Sequence, residues 1–262
     1  MKKPRILITN DDGIFAPGIW HLWNAIKDFA EITVVAPAVE QSASGLSITV
    51  RDPLRIERIN WSDSSANAWA VGGTPSDCVK LALNVILQEP PHLILSGVNR
   101  GTNAGRNVLY SGTVAGVIEG VFHDIPGIAF SLGETTTPDF GALEKYILQI
   151  MNYAIKHPLP PGTFLNVNFP EKQQNPIEGI RMTSQGKEYW IEDPESRSHP
   201  SGHTYYWLGA KLAQFKEEDN SDITWLRKGY VTVAPIHVGE LTDYGHIKSH
   251  KQIFEDFVNE KD

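Results

Sequence analysis

No intramolecular disulfide can form in this chain, because its 262 residues include a single cysteine, Cys78. The same scarcity excludes a cysteine-based zinc site and fits a reducing compartment. No apolar run is long enough to span a membrane. Met1 to Arg5 leads straight into an apolar strand, without the hydrophobic stretch of a signal peptide. A cytoplasmic location with no membrane partner is the expectation. An excess of basic residues is also missing. Lys and Arg number 23 against 31 Asp and Glu, for a net charge of −8. A broad nucleic-acid footprint is therefore not expected. A small anion would have to be held by local positive charge, backbone N–H groups or a metal. Two phosphate signatures are absent as well: there is no GxxxxGK[ST], and the first strand does not lead into GxGxxG. ATP hydrolysis and nicotinamide redox chemistry lose support accordingly.

What remains is an ordinary soluble composition, 41% hydrophobic and 21% charged, in a chain long enough to bury a core without staples. The chain reads as a single domain over 1–262, with an α/β core carrying the site in 1–160 and further strands, an arm and a terminal helix in 161–262. Arg5 to Thr9 is a short apolar strand. A polar turn, Asn10-Asp11-Asp12-Gly13, separates it from Pro17, which suits a first helical position. Ile19, Leu22, Trp23, Ile26 and Phe29 follow at helical spacing, and Glu31 to Pro37 is the next strand. This opening is a βαβ unit with a right-handed crossover.

Further along, Gln41 to Thr49 is a small-residue loop that could run into a strand. Ala68 to Val71 reads as a strand, Pro75 to Leu87 as a largely buried helix and Leu93 to Ser96 as a strand. A Gly/Asn-rich loop spans Gly97 to Gly112. A helix covers Thr113 to about Phe122, a strand Gly127 to Leu132 and a helix Leu143 to Ile155. Strands alternating with helices predict a mostly parallel, Rossmann-like sheet covered on both faces. Strand-like runs then recur at Phe164 to Phe169, Arg181 to Ser184, Thr204 to Leu208 and Tyr230 to Ile236. Polar segments at Glu192 to Gly202 and Lys216 to Ser221 separate some of them, as in long hairpins or arms. Asp243 to Glu260 has the pattern of an amphipathic helix.

Ligands of an open α/β sheet gather beyond the carboxyl ends of its strands. Asp11 and Asp12 stand at such an end. Adjacent carboxylates repel each other unless a cation joins them, and their oxygens suit Mg²⁺ or Mn²⁺. The plain alternative is a solvated turn with an Asp helix cap. A third reading makes an aspartate a phosphorylated nucleophile, as in the haloacid-dehalogenase phosphatases. Those follow their first strand with Asp-x-Asp, whereas here the aspartates are adjacent and position 10 is Asn.

Residues 95–113 read LSGVNRGTNAGRNVLYSGT. Asn99, Asn103 and Asn107 offer amide groups near a strand end. Ser111-Gly112-Thr113 opens the next helix, whose N-terminal N–H groups suit a phosphate. Ser111 and Thr113 add hydroxyls; Arg100 and Arg106 add charge or are simply solvated. The alternative is a long surface loop ending in a Ser cap. Loops of this length in compact domains are usually functional or disordered, and the flanking apolar segments argue against disorder.

These blocks together resemble the SurE family, the stationary-phase survival nucleotidases. The resemblance rests on ITNDDGIFAPGI, VVAP followed by QS, GTPSDCVKLAL and LSGVNRGTNAGRNVLYSGTVAGVIEG. GIAFSL, LNVNFP, YYWLG, GYVTVAPI and LTDY extend it over nearly the whole chain. It implies a SurE-like α/β fold with C-terminal β-hairpin extensions, and a metal-dependent phosphomonoesterase acting on nucleoside 5′-monophosphates. The implied range includes 3′-nucleotides and short polyphosphate. One divalent ion, Mg²⁺ or Mn²⁺, would be held by Asp11, Asp12, Ser42 and Asn99, with Asp11 and Asp12 also serving catalysis. The phosphate would be held by Asn103, Ser111, Gly112 and Thr113. A homodimer or homotetramer is implied, with Glu192 to Ser221 as the arm. The chain departs from the family at Ala38, where Asp is usual, and at Ala43, where Gly is usual. The run Gln41-Ser42-Ala43-Ser44 makes Ser44 a rival to Ser42.

Other residues carry less. Cys78 reads as a small helix residue. His246 and His250 lack the intervening Glu of HExxH and read as a solvated helix face. Trp20 and Trp23 read as packing, as do Tyr205, Tyr206 and Trp207 unless they meet a base or a second subunit. Besides the haloacid-dehalogenase-like phosphotransferase, the competing function is a catalytically silent nucleotide-binding protein.

Overall fold

The computed structural model describes residues 3–61, 66–133, 136–171, 177–209 and 211–259. Its centre is a nine-stranded sheet. In chain order the strands are β1 (Arg5–Thr9), β2 (Glu31–Pro37), β3 (Ile56–Ile59), β4 (Asn67–Val71), β5 (Leu93–Arg100), β6 (Gly127–Leu132), β7 (Thr163–Phe169), β8 (Gly179–Met182) and, later, β13 (Tyr230–His237). Between β8 and β13 lie β9 (Tyr189–Ile191), β10 (Glu195–Ser198), β11 (Thr204–Trp207) and β12 (Lys211–Ala213). The sheet order is β3-β4-β2-β1-β5-β6-β7-β13-β8. Its pairs are parallel except β3 with β4 and β13 with β7. A mostly parallel sheet flanked by helices is thus the architecture, as the alternation of elements predicts.

Why β1 reads as a continuous apolar run follows from its burial on both sides. Ile6 and Ile8 pack in the cluster that contains Leu22 and Ile26 of α1 (Pro17–Ile26) and Ile147 and Met151 of α4 (Glu144–Lys156). Leu7 points the other way, toward Cys78 and Val79 of α2 (Pro75–Leu81). A third cluster joins Val114 and Val117 of α3 (Gly112–Val121) to Ala129 and Phe164. Side chains that alternate between two covered faces explain a strand without polar alternation. Cys78 is fully buried, and burial pushes its thiol well up.

Several details depart from the sequence expectations. The helix over residues 75–87 ends in a π turn, Ala82–Ile86, with Val85 exposed. β5 does not stop at Ser96 but continues to Arg100, with its register against β6 shifting between Ser96 and Asn99. A bulge of this kind re-aims the following side chains. Residues 41–50 form no strand; the edge strand comes later, as β3. The strand expected at Arg181 to Ser184 lies at Gly179–Met182. The expected hairpin exists as β10 paired with β11, and β12 pairs with β9. A short helix α5 (Asp222–Leu226) precedes β13, and α6 (Tyr244–Asn259) closes the described chain. Trp23 is buried, but Trp20 is 44% exposed, packing edge-on to His21. Among the described residues no helix is long and apolar enough to cross a membrane.

Candidate active site

The loop after β1 is not a helix cap. Ala16 occupies the cap of α1 and its side chain makes no bond there. The turn is instead closed by Asn10, whose Nδ2 donates to the carbonyl of Gly13 at 2.9 Å. Asp11 is only 5% exposed. Its Oδ1 accepts the Thr113 hydroxyl at 2.5 Å, and its carbonyl accepts the Gln41 N–H at 2.8 Å. Asp12 accepts the Arg100 N–H at 3.3 Å.

Burial raises the protonation point of both carboxyls. For Asp11 desolvation outweighs the Thr113 hydrogen bond, and Glu40 pushes the same way. For Asp12 desolvation comes first and repulsion from Asp11 second, together lifting it to about 7. Among the described residues no cationic side chain lies within ion-pair distance of either. Arg100 attracts Asp12, but its effect ranks behind burial and the neighbouring acids. Such a pair is costly when alone and is relieved by a cation.

The first turn of α3 stands against the Asp11 carboxylate. A methyl group placed on Gly112 would lie 2.8 Å from Cβ of Asp11, 2.9 Å from its Oδ2 and 2.8 Å from Oγ of Ser44. Only glycine allows the helix N-terminus so close. Ser111 is the N-cap, its Oγ accepting the Val114 N–H at 3.1 Å. The N–H groups of the first turn have no partner within the helix and suit an anion. The capping alternative and the phosphate reading of Ser111 are compatible, because an accepting hydroxyl oxygen keeps its own proton to donate.

The other candidates are in different states. Asn99 spends its Nδ2 on the carbonyl of Gly101 at 2.7 Å, which leaves its Oδ1 for a cation. Ser42 is exposed and donates to Glu40, which acts electrostatically on both aspartates. Ser44 carries the opposite signature: its Oγ is buried without a hydrogen-bond partner beside Gly112 and Asp11. Asn103 is buried, donating its side chain to Ser131 Oγ at 2.7 Å and its backbone N–H to Asn168 Oδ1 at 2.8 Å. Arg106 lies over the rings of Tyr189 and Phe215, at 5.8 and 5.5 Å from their centroids, and so packs rather than standing free.

These donors fit a hard divalent ion. Two carboxylates, an amide oxygen and hydroxyls form an all-oxygen set of the kind Mg²⁺ and Mn²⁺ prefer. Among the described residues no group of three or more His, Cys, Asp or Glu side chains could hold a metal.

The sequence profile described as Survival protein SurE matches residues 6–192. The chain belongs to the SurE family. A 5′-nucleotidase SurE of Protochlamydia amoebophila is 57% identical over 98% of this chain and 99% of its own length. A 5′-nucleotidase SurE of Heliobacterium modesticaldum is 43% identical over 93% of this chain and 89% of its own. The crystal structure of the SurE protein from Aquifex aeolicus superposes with a TM-score of 0.83 at 38% identity, covering 96% of this chain and all of that one. The architecture described above is thus the SurE fold.

Sequence reasoning alone did not bring forward Glu40, nor the residues that support Asn103. A signal for the latter existed. Asn166 and Asn168 alternate inside β7, a strand buried at every position. Buried amides on a central strand imply hydrogen-bonded partners.

Proposed function

We propose that this chain is a divalent-metal-dependent phosphomonoesterase that hydrolyses nucleoside 5′-monophosphates to nucleoside and phosphate. The carrying observation is the close approach of the α3 N-terminus to the buried Asp11, which is adjacent in sequence to the half-buried Asp12. That arrangement juxtaposes a cation-seeking and an anion-seeking corner. Relatives named 5′-nucleotidase over nearly the full chain support the same reading.

In this reading Asp11, Asp12, Ser42 and Asn99 would hold one Mg²⁺ or Mn²⁺, which would supply Lewis acidity and lower the pKa of a bound water. The chain's own groups do the rest. Thr113 fixes the Asp11 carboxylate through its hydroxyl, leaving the second oxygen toward the site. The N–H groups of Gly112 and Thr113, the Ser111 hydroxyl and Asn103 hold the phosphoryl oxygens and offset the charge that develops on them. The orphaned Ser44 hydroxyl adds one donor at the same corner. Asp11 or Asp12 orients the attacking water and takes its proton. 3′-Nucleotides and short polyphosphate present the same terminal phosphoryl group and fall within the proposal.

The test is phosphate release from AMP, GMP, CMP and UMP by EDTA-stripped protein before and after Mg²⁺ or Mn²⁺ is restored. Metal-restored release is expected. Folded protein that releases no phosphate with either ion would overturn the assignment.

We also propose a homodimer or homotetramer, in the cytoplasm. Every described side chain of α6 is at least partly open to solvent, including Phe254 and Phe257, and Tyr206 and Trp207 stand exposed on β11. A second copy of the chain is the expected cover for these surfaces.

A further inference from the structure

A second polar cluster ties the Gly/Asn loop to the later half of the chain, and nothing in the chemistry above uses it. Asp222, the first residue of α5, is fully buried. Its Oδ1 accepts the N–H groups of Gly186 at 2.8 Å and Ile223 at 2.7 Å. Its Oδ2 accepts the N–H of Gly105 at 3.0 Å. Gly186 and Ile223 belong to the later half, whereas Gly105 lies two residues beyond Asn103.

The same stretch is held at further points. Gln185 donates its side chain to the carbonyl of Gly105 at 2.5 Å, and Asn166 donates to the carbonyl of Asn103 at 2.9 Å. The Arg106 N–H reaches the carbonyl of Glu188 at 2.9 Å, and the Trp190 N–H reaches Asn107 Oδ1 at 3.0 Å. Gly105 has φ +59°, and a Cβ there would meet the Glu188 carbonyl oxygen at 2.1 Å. The loop is pressed against residues 185–190 with no room for a side chain.

A carboxylate is an expensive way to close a buried junction, and no ion pair offsets it among the described residues. An amide could serve Gly186 and Ile223 with its oxygen, as Oδ1 does now. It could not serve Gly105, because it would set an N–H₂ against an N–H. The charge is needed for the bond to the loop. We infer that Asp222 is a positioning residue for the phosphate side of the site: by accepting the Gly105 N–H it holds Asn103 at the distance the phosphoryl group requires. This rests on the phosphomonoesterase reading, in which Asn103 meets the phosphate.

Asp222→Asn keeps the volume and two of the three bonds. The measurements are KM and kcat for AMP, competitive inhibition by inorganic phosphate, Mn²⁺ affinity by calorimetry, and melting temperature. KM and the phosphate inhibition constant are expected to rise together by about tenfold, the weight of one hydrogen bond to a charged group. Mn²⁺ affinity is expected to stay unchanged, because Asp11, Asp12 and Asn99 are not on this clamp. Gln185→Met, which removes the loop bonds without touching a buried charge, is expected to move KM the same way by less and serves if Asp222→Asn does not fold. A folded variant that loses only kcat, or keeps both KM and phosphate inhibition at wild-type values, would make Asp222 a purely structural residue. Wild type without nucleotidase activity would instead sink the functional reading; phosphate binding by calorimetry, in wild type against Asp222→Asn, then reads the clamp by itself.

Discussion

At the carboxyl end of β1 the chain buries Asp11 and half-buries Asp12; along α6 it leaves Ile253, Phe254, Phe257 and Val258 in solvent. The first region violates the rule that charge stays wet, the second the rule that large apolar groups stay dry. Both leave the isolated chain short of its best free energy, and each shortfall has a matching partner. On the proposed function, the aspartates' partner is a cation with a phosphate, and the helix's is a second copy of the chain. The contrast also separates the energies. Electrostatic relief in a dry corner is steep and local, whereas apolar burial is spread over area and tolerant of single changes. Unmet need at a surface thus indicates what a region receives, and the kind of need indicates its chemistry.

Asp11 is where a single substitution is expected to cost most. Asp11→Asn removes the charge but keeps the shape and the Thr113 contact. Phosphate release from AMP is expected to fall by roughly a thousandfold or more, the scale of losing electrostatic stabilisation at a reaction centre. The oligomer, read by light scattering, is expected to be unaffected. Loss of both activity and assembly in one substitution would show that the two regions are not independent.

At the other region, replacing Phe254 and Phe257 together with Ser is expected to shift the particle toward the monomer mass of 29.1 kDa. Each buried aromatic side chain contributes about 1.5–3 kcal/mol of apolar transfer, so the pair weakens association strongly. Sedimentation or light scattering over a dilution series reads the change. An unaltered mass would mean that α6 is not the contact.

A smaller effect sharpens the electrostatic side. Burial, reinforced by Glu217, lifts the Asp222 carboxyl from its ordinary 3.8 to about 6. The folded chain therefore holds that proton more tightly than the unfolded chain. Stability is expected to fall as pH rises from about 4 to about 6, and this contribution is flat above that window. The shift corresponds to about 3 kcal/mol at most. Denaturant titrations at either end of the window should show a smaller pH difference in Asp222→Asn than in wild type. An identical difference would place the titration elsewhere.

Much of the first half was legible because its signals are local. β1, the acidic turn, α1 and β2 follow from apolar runs, a proline and helical spacing within residues 5–37. The parallel architecture follows from their repetition. β3, β9, β12 and α5 escaped because they are three to five residues long and stabilised by partners rather than pattern. The bulge that extends β5 to Arg100 also escaped, since a register shift leaves no periodic trace. Within the site, Asp11, Asp12 and the Ser111–Thr113 turn could be chosen from their place after strands. Ser42 came forward only through family resemblance, because serines in small-residue loops are ordinary. The link from Asp222 to Gly105 spans 117 positions, and no local rule reaches that far.

The order of the last three strands governs when the fold can close. β13 lies between β7 and β8, although β8 is made well before it. A growing chain that has emerged only as far as residue 220 has β7 as a raw edge and β8 with no neighbour to join. Asp222, which grips the Gly/Asn loop, has not yet appeared. During synthesis the clamp on the Gly/Asn loop is therefore closed late, by residues that arrive after most of the sheet exists, and exposed strand edges in that interval favour wrong pairings.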